Sequence, residues 1–453
     1  MVLAVVVVLV AGVRPSYDPY GWLVWGRQTL HWNLNTDAAP SWKPLTYVFT
    51  LPYALAGRAQ LWMWMVTAVA VSLSGLLFAA RIAYRLTASA TAAGETVGPA
   101  RYAPLVAALF AAGALLGITG YVDGILTAES DTVIVALCLA AIDCHLRGRR
   151  RGALALLVLA SLGRPEVWLF AAAYGLAAWR AKTIKVAHLI GSLIAVALGW
   201  FLVPALTSRS WLSEGNIALN SPHAPQGNKI TGVITRFQQL HAWPVWALFA
   251  VAIVIAVRRR DRVSLALAAA AATWVAVEIA FALHGWPANQ RYMFEAAAVA
   301  AVVAAIGFGC AIALTLERRG MIRVAAPVAA LAVAGALVPA ARVRVRDEHA
   351  ILTAERHQTR QINRLRDLLT QLGKARILAC GQPVTVLGYQ STLAWEVGLN
   401  VGNVGYKPPR AIAVGRPIVL FMPRGYGWEV RPVHTAVADR AACSTLHAQT
   451  ATS

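Results

Sequence analysis

Long apolar runs alternate with short arginine-rich loops along most of this sequence. The loops carry Arg147, Arg149, Arg150 and Arg151; then Arg180, Lys182 and Lys185; then Arg258, Arg259, Arg260 and Arg262; then Arg318, Arg319 and Arg323. Several apolar runs approach the roughly 20 residues that cross a bilayer. Only 13% of the residues are charged and 58% are hydrophobic, where soluble domains carry about 25% charged residues. A chain patterned this way is expected to fold as an α-helical polytopic membrane protein. The net charge of +21 would suit a nucleic-acid binder if it were spread over one soluble face. Gathered into short loops, it is the cytoplasmic signature of a plasma-membrane protein. The expected partner is the lipid bilayer, with no nucleic acid.

Placing every dense basic cluster on the cytoplasmic side gives about eleven spans, with the N-terminus inside. Residues 1–13 lack a basic leader and a small-residue cleavage site, so they read as an anchor and not a removed signal. Residues 51–80, 104–120 and 132–146 follow as spans. Between Arg151 and Arg180 there is length for two short helices, meeting outside at SLGRPE (161–166), where Pro165 resists helix continuation. Residues 186–206, 244–257, 263–283, 292–316 and 325–341 complete the set, which leaves 16–45, 207–243 and 342–453 outside. The last of these changes character. Residues 347–373 place apolar side chains at helical spacing, and 376–379, 383–387 and 411–422 read as short strands. Two domains are therefore expected: a membrane domain over 1–341 and a small extracytoplasmic α/β domain over 342–453.

The outer loop over residues 16–45, SYDPYGWLVWGRQTLHWNLNTDAAPSWKPL, is unusually polar and aromatic. Its Asp18, Arg27, His31 and Lys43 sit among Trp22, Trp25, Trp32 and Trp42. An interfacial aromatic belt is one reading, and an active-site loop on the membrane surface is the other. On the same face fall Asp123, Glu129, Asp131, Arg164, Glu166, His284, Arg291 and Glu295. Ionisable groups in or beside spans are costly and tend to be paired or functional, so a polar cavity opening outward is expected. Each has a plainer reading as well. Asp18 could cap a helix end, Arg164 and Glu166 could be a structural ion pair, and Asp123 and Asp131 could be solvated or cap the next helix. Arg291 with Tyr292 could snorkel, and Trp62, Trp64, Trp168 and Trp286 could be belt residues. Asp143 and Glu317 lie beside cytoplasmic arginines and are expected to pair with them. Glu278 lies mid-span with no evident role.

The order of these features resembles the GT-C superfamily of membrane glycosyltransferases. That superfamily includes protein O-mannosyltransferases, lipid A aminoarabinose transferases and actinobacterial mannosyl- and arabinosyltransferases. The resemblance rests on an acid after the first span, the aromatic loop ending in SWKPL, LGRPE after a basic loop, and QRYMFEAA entering a late span. It covers roughly residues 1–320. Two details depart from the family: Lys43-Pro44-Leu45 lacks the second proline of K-P-P-L, and Asp18-Pro19 stands where two acids often adjoin. The resemblance implies inverting transfer of a sugar from a polyprenyl-phosphate donor to an extracytoplasmic cell-envelope acceptor. Asp18 would be the general base, with Arg291, Lys43 and His284 on the donor phosphate. Tyr20, Trp22, Arg27, His31, Trp42, Asp123, Glu129, Arg164, Glu166 and Tyr292 would line the substrate cavity. The Ala/Val/Arg-rich usage fits a high-GC bacterium and so mannose or arabinofuranose donors.

A transporter or lipid flippase also explains polar groups in spans, but it predicts inverted repeats, and none is evident. A non-catalytic envelope scaffold is the third reading. No cofactor is required by the sequence, and a divalent metal ion is left open. Cys138, Cys144 and Cys310 lie in or beside apolar runs, where thiols pack. Cys380 and Cys443 share an oxidising compartment and are expected to form a disulfide.

Overall fold

A computed structural model describes residues 1–38, 40–91, 99–212, 215, 218–219, 223–316, 321–434, 443, 446 and 448–449. The membrane part opens with α1 (Val2–Ala11), α2 (Tyr17–Leu30), α3 (Pro44–Ala54), α4 (Gln60–Thr91) and α5 (Ala103–Leu116). Next come α6 (Tyr121–Leu126), α7 (Ser130–Leu146), α8 (Arg150–Ser161), α9 (Glu166–Arg180) and α10 (Val186–Thr207). The helices α11 (Lys229–Gln238), α12 (Trp243–Arg259), α13 (Arg262–His284) and α14 (Phe294–Leu316) complete it.

Four stretches among the described residues are long and apolar enough to cross a bilayer: Gly57–Ala90, Val186–Thr207, Arg262–His284 and Gln290–Leu316. The α11–α12 pair makes a fifth if its 97° bend is counted within one span. The other apolar helices are shorter: 10 residues in α1, 14 in α5, 17 in α7, 12 in α8 and 15 in α9. The chain breaks between α8 and α9 at residues 162–165, where Pro165 was expected to stop the helix.

α14 is the central post. Its run of Ala, Val and Gly presents little side-chain bulk, and α4, α5, α7, α12 and α13 all pack on it. A Cβ on Gly307 would lie 2.5 Å from the Ala252 Cβ of α12, so only glycine permits that approach.

The C-terminal part departs from expectation in two ways. A single helix, α15 (Met321–Leu372, 52 residues), runs without interruption through the 341/342 boundary. The segment 376–379 is helical, within α16 (Lys374–Cys380), and not a strand. Beyond it lie β1 (Gln382–Val384), α17 (Gln390–Val397), α18 (Pro408–Ala413), β2 (Ile418–Arg424), β3 (Gly427–Val433) and β4 (Ala448–Gln449). The sheet order is β1-β2-β3-β4, with β1 parallel to β2 and the other pairs antiparallel. Strand character in 411–422 is thus confined to its second half. Cys380 and Cys443 are joined by a disulfide with Cα atoms 5.8 Å apart.

Candidate active site

Residues 16–45 do not lie as an aromatic belt. Trp22, Trp25 and Trp42 are fully buried, while Trp32 is 98% exposed. Trp22 meets Trp64 edge-on at 5.7 Å, and Trp25 lies 5.0 Å from Trp42. Trp42 Nε1 donates to the Gly199 carbonyl at 2.9 Å, and Trp64 Nε1 to the Ala128 carbonyl at 3.1 Å. A buried indole needs such a partner. These anchors hold α2 on the bundle, so Trp22, Trp25, Trp42 and Trp64 are packing residues, while Trp32 is not.

With α2 fixed, Asp18 stands in its first turn, where the unpaired N–H groups and the helix dipole favour a carboxylate. Opposite it is Arg291, in the short 3₁₀ turn Gln290–Met293 that leads into α14. Arg291 Nη2 donates to Asp18 Oδ2 at 3.0 Å. The same guanidinium lies 3.4 Å from Glu129 and 3.7 Å from Asp131. One planar fork therefore meets carboxylates from α2, from the turn before α7 and from α7 itself. Ser16 donates to Glu129, which closes the ring back to the start of α2. Burial pushes the Glu129 carboxyl above its ordinary value, and Arg291 opposes that rise.

A second guanidinium lies behind the first. Arg164, at the α8–α9 reversal, pairs with Asp131, with Glu166 at 3.3 Å and with Glu295 at 3.8 Å. Its plane lies 4.1 Å from the centre of the Tyr292 ring. Glu278 of α13, fully buried, lies near this group, and neither of its carboxylate oxygens has a hydrogen-bond partner among the described residues. Lys43 Nζ donates to Ser130 Oγ at 2.8 Å, lies 3.8 Å from Asp131, and sits over the Trp22 ring at 5.4 Å. The cluster thus sets Asp18, Glu129, Asp131, Glu166, Glu278 and Glu295 against Lys43, Arg164 and Arg291. Exposure sorts the cations. The Arg291 side chain is 35% exposed, that of Lys43 11% and that of Arg164 5%. Arg291 is thus the most exposed of the three, and Lys43 and Arg164 lie deeper among the carboxylates.

The remaining expected residues lie elsewhere. His284 is exposed at the end of α13, with its ring 5.8 Å from Trp286. Arg27 and His31 lie at the far end of α2; Arg27 stacks on Trp395 of the outer domain at 3.7 Å. Tyr20 is buried on α2. Asp123, in α6, has Glu348 and Glu355 of α15 as its charged neighbours. Asp143 pairs with Arg81, Arg85 and Arg147 as expected, and Glu317 lies outside the described residues. Asp131 and Glu295 had been noted only as polar residues of the outer face, and Glu278 had no role, yet all three belong to the cluster. The mid-span position of Glu278 was the signal, since an isolated acid there needs a partner.

Among the described residues no three His, Cys, Asp or Glu side chains are grouped so as to hold a metal ion. The carboxylates converge on guanidinium groups, so these residues do not fit a metal site.

No protein-family model matches the sequence, and no curated protein matches it. The fold, however, has a solved counterpart. The chain resembles ArnT. Two crystal structures of ArnT from Cupriavidus metallidurans superpose on it, in the apo state with a TM-score of 0.52 and bound to undecaprenyl phosphate with 0.53. Each is 14% identical to this chain, and the match covers 93% of this chain and 92% of ArnT. ArnT is an aminoarabinose transferase of the GT-C type. At this identity the likeness is one of fold. It spans nearly the whole of both chains, and so reaches beyond residues 1–320.

Proposed function

We propose that this protein is a GT-C membrane glycosyltransferase. It would take a sugar, mannose or arabinofuranose, from a polyprenyl-phosphate donor and pass it to an acceptor hydroxyl of the cell envelope outside the cytoplasm. The observation that carries the proposal is the Asp18–Arg291 pair at 3.0 Å, set at the outer end of the bundle. It stands in a fold shared with a protein solved with undecaprenyl phosphate.

The chemistry follows from the two groups. Asp18 takes the proton of the acceptor hydroxyl as its oxygen attacks the anomeric carbon from the face opposite the phosphate. The bond from that carbon to the phosphate oxygen breaks, and the electron pair leaves on the lipid phosphate. Arg291 meets the developing charge with a planar fork suited to phosphate. When the donor phosphate takes the Arg291 N–H groups, the Asp18 carboxylate loses its partner and becomes free to accept a proton. Glu129 and Asp131 keep Arg291 in place, and Arg164 and Lys43 balance them.

The test is transfer from a defined polyprenyl-phosphate sugar by the reconstituted protein. Asp18→Asn should bind donor as the wild type does and lose turnover by about 10²–10⁴-fold. Near-normal turnover in that variant removes Asp18 as the base. A protein that moves the lipid across the bilayer and forms no glycosidic bond would be a flippase instead.

A further inference from the structure

The outer domain grips α2 along its whole length. At the N-terminal end, Tyr17 Oη donates to Gln390 Oε1 at 2.9 Å. Gln390 is only 3% exposed, and its Nε2 donates to the carbonyls of Val401 and Val404 at 3.1 and 2.7 Å. Two carbonyl acceptors require the amide nitrogen on their side, so the amide oxygen must face Tyr17. Burial pushes the Tyr17 phenol well above its ordinary value, so it stays a donor.

Further along, the Arg27 guanidinium stacks on Trp395 and donates to the Trp395 carbonyl at 2.9 Å. Gln28 Nε2 donates to the Gly398 carbonyl at 3.0 Å, and Asn400 Nδ2 donates to the Asn33 carbonyl at 2.9 Å. Gly398 ends α17 in the left-handed region, at φ 92°, which turns its carbonyl out of the helix toward α2. From Tyr17 to Gln28 these ties span about 16 Å of helix. Tyr17 directly precedes Asp18 in the first turn, so whatever fixes Tyr17 fixes the rotation of α2 there and hence the direction of Asp18.

We infer that Gln390 is a positioning residue for Asp18: through Tyr17 it sets the base against the acceptor, which makes the outer domain part of the transferase site and not an appended module. The inference rests on the Asp18 mechanism. Misplacement of a reacting group by about 1 Å costs roughly 10²-fold, and partial release of α2 costs part of that.

The experiment measures steady-state transfer and polyprenyl-phosphate binding in the full-length protein for Tyr17→Phe, Gln390→Leu and the double variant. Each single change should lower kcat by about 10-fold with the donor KM and lipid affinity unchanged. The double variant should be no worse than either single one, because both remove the same tie. A merely structural role would lower melting temperature and yield but leave kcat per folded molecule intact. Wild-type kcat in Tyr17→Phe and Gln390→Leu, with Asp18→Asn inactive, overturns the positioning role and leaves the transferase mechanism standing. Normal turnover in Asp18→Asn overturns that mechanism itself.

Discussion

Arg291 Nη2 donates to Asp18 Oδ2 at 3.0 Å across 273 residues of sequence. The contact ties α2 to the head of the central post, and under the proposed function it pre-assembles the base and the phosphate-binding guanidinium. The pair is only partly buried, so its strength changes when a ligand excludes water. A site poised in this way is set by geometry more than by net charge, since carboxylates outnumber cations around it.

Arg291→Lys keeps the charge but loses the fork. It should weaken binding of polyprenyl phosphate and lower kcat/KM by about 10-fold or more. Lipid binding measured by native mass spectrometry checks this. Unchanged affinity would assign Arg291 to holding Asp18 alone.

Arg164→Met leaves Glu166 and Glu295 without their guanidinium partner and Asp131 with only Arg291 and Lys43. Breaking a buried ion network by removing one partner costs about 3–5 kcal/mol. The variant should express poorly and melt at much lower temperature in detergent. A wild-type melting temperature would show that Arg164 is not a structural member of the cluster.

Asp123 repels both Glu348 and Glu355 where α6 meets α15. Burial first, and Asp123 second, pushes Glu355 from 4.5 up to about 7, and the same two causes raise Glu348. The folded protein therefore holds these protons more tightly than the unfolded chain does. The sign follows: this contribution is present below 4.5 and is lost as pH rises through about 7. Glu355→Gln should flatten the fall in melting temperature across that window. An unchanged profile would separate Glu355 from the other two acids.

Arg147, Arg149, Arg150 and Arg151 close the α7–α8 turn, on the side away from Asp18 in the sequence-based topology. Single cysteines introduced there should resist a membrane-impermeant thiol reagent applied from outside, whereas cysteines in residues 207–212 should react. Labelling of the arginine turn from outside would invert the orientation.

The apolar runs and basic turns were legible because each is a local property of composition. So was the α8–α9 reversal, which a single proline marks. The tryptophans of residues 16–45 were not, because an indole suits a headgroup or a core equally well until its tertiary partner is known. RILA (376–379) was misread because a short apolar run fits either secondary structure. The 52-residue α15 hid behind the change from apolar to charged residues near 342, which alters the helix's surface without breaking its backbone hydrogen bonds. Within the cluster, Asp18, Arg164, Glu166 and Arg291 stood out singly as costly charges. Their partnership depends on α2, α7, α9 and α14 meeting, which no local pattern encodes.

The disulfide between Cys380 and Cys443 gives the last prediction. The two are 63 residues apart in sequence, for which loop closure in the unfolded chain corresponds to about 4 kcal/mol. Cys380 ends α16, whose Lys374 donates to the Glu396 carbonyl at the end of α17, the helix that grips α2. Loosening this end of the domain should therefore loosen α2 as well as the sheet. Both cysteines are buried, so reductant will act slowly on the folded protein, and substitution is the cleaner probe. Cys443→Ser should lower the melting temperature of the outer domain and, if α2 depends on it, reduce kcat more than donor affinity. Intact mass after alkylation without reductant checks the bond itself. Alkylation of both Cys380 and Cys443 in the denatured, unreduced protein would rule it out.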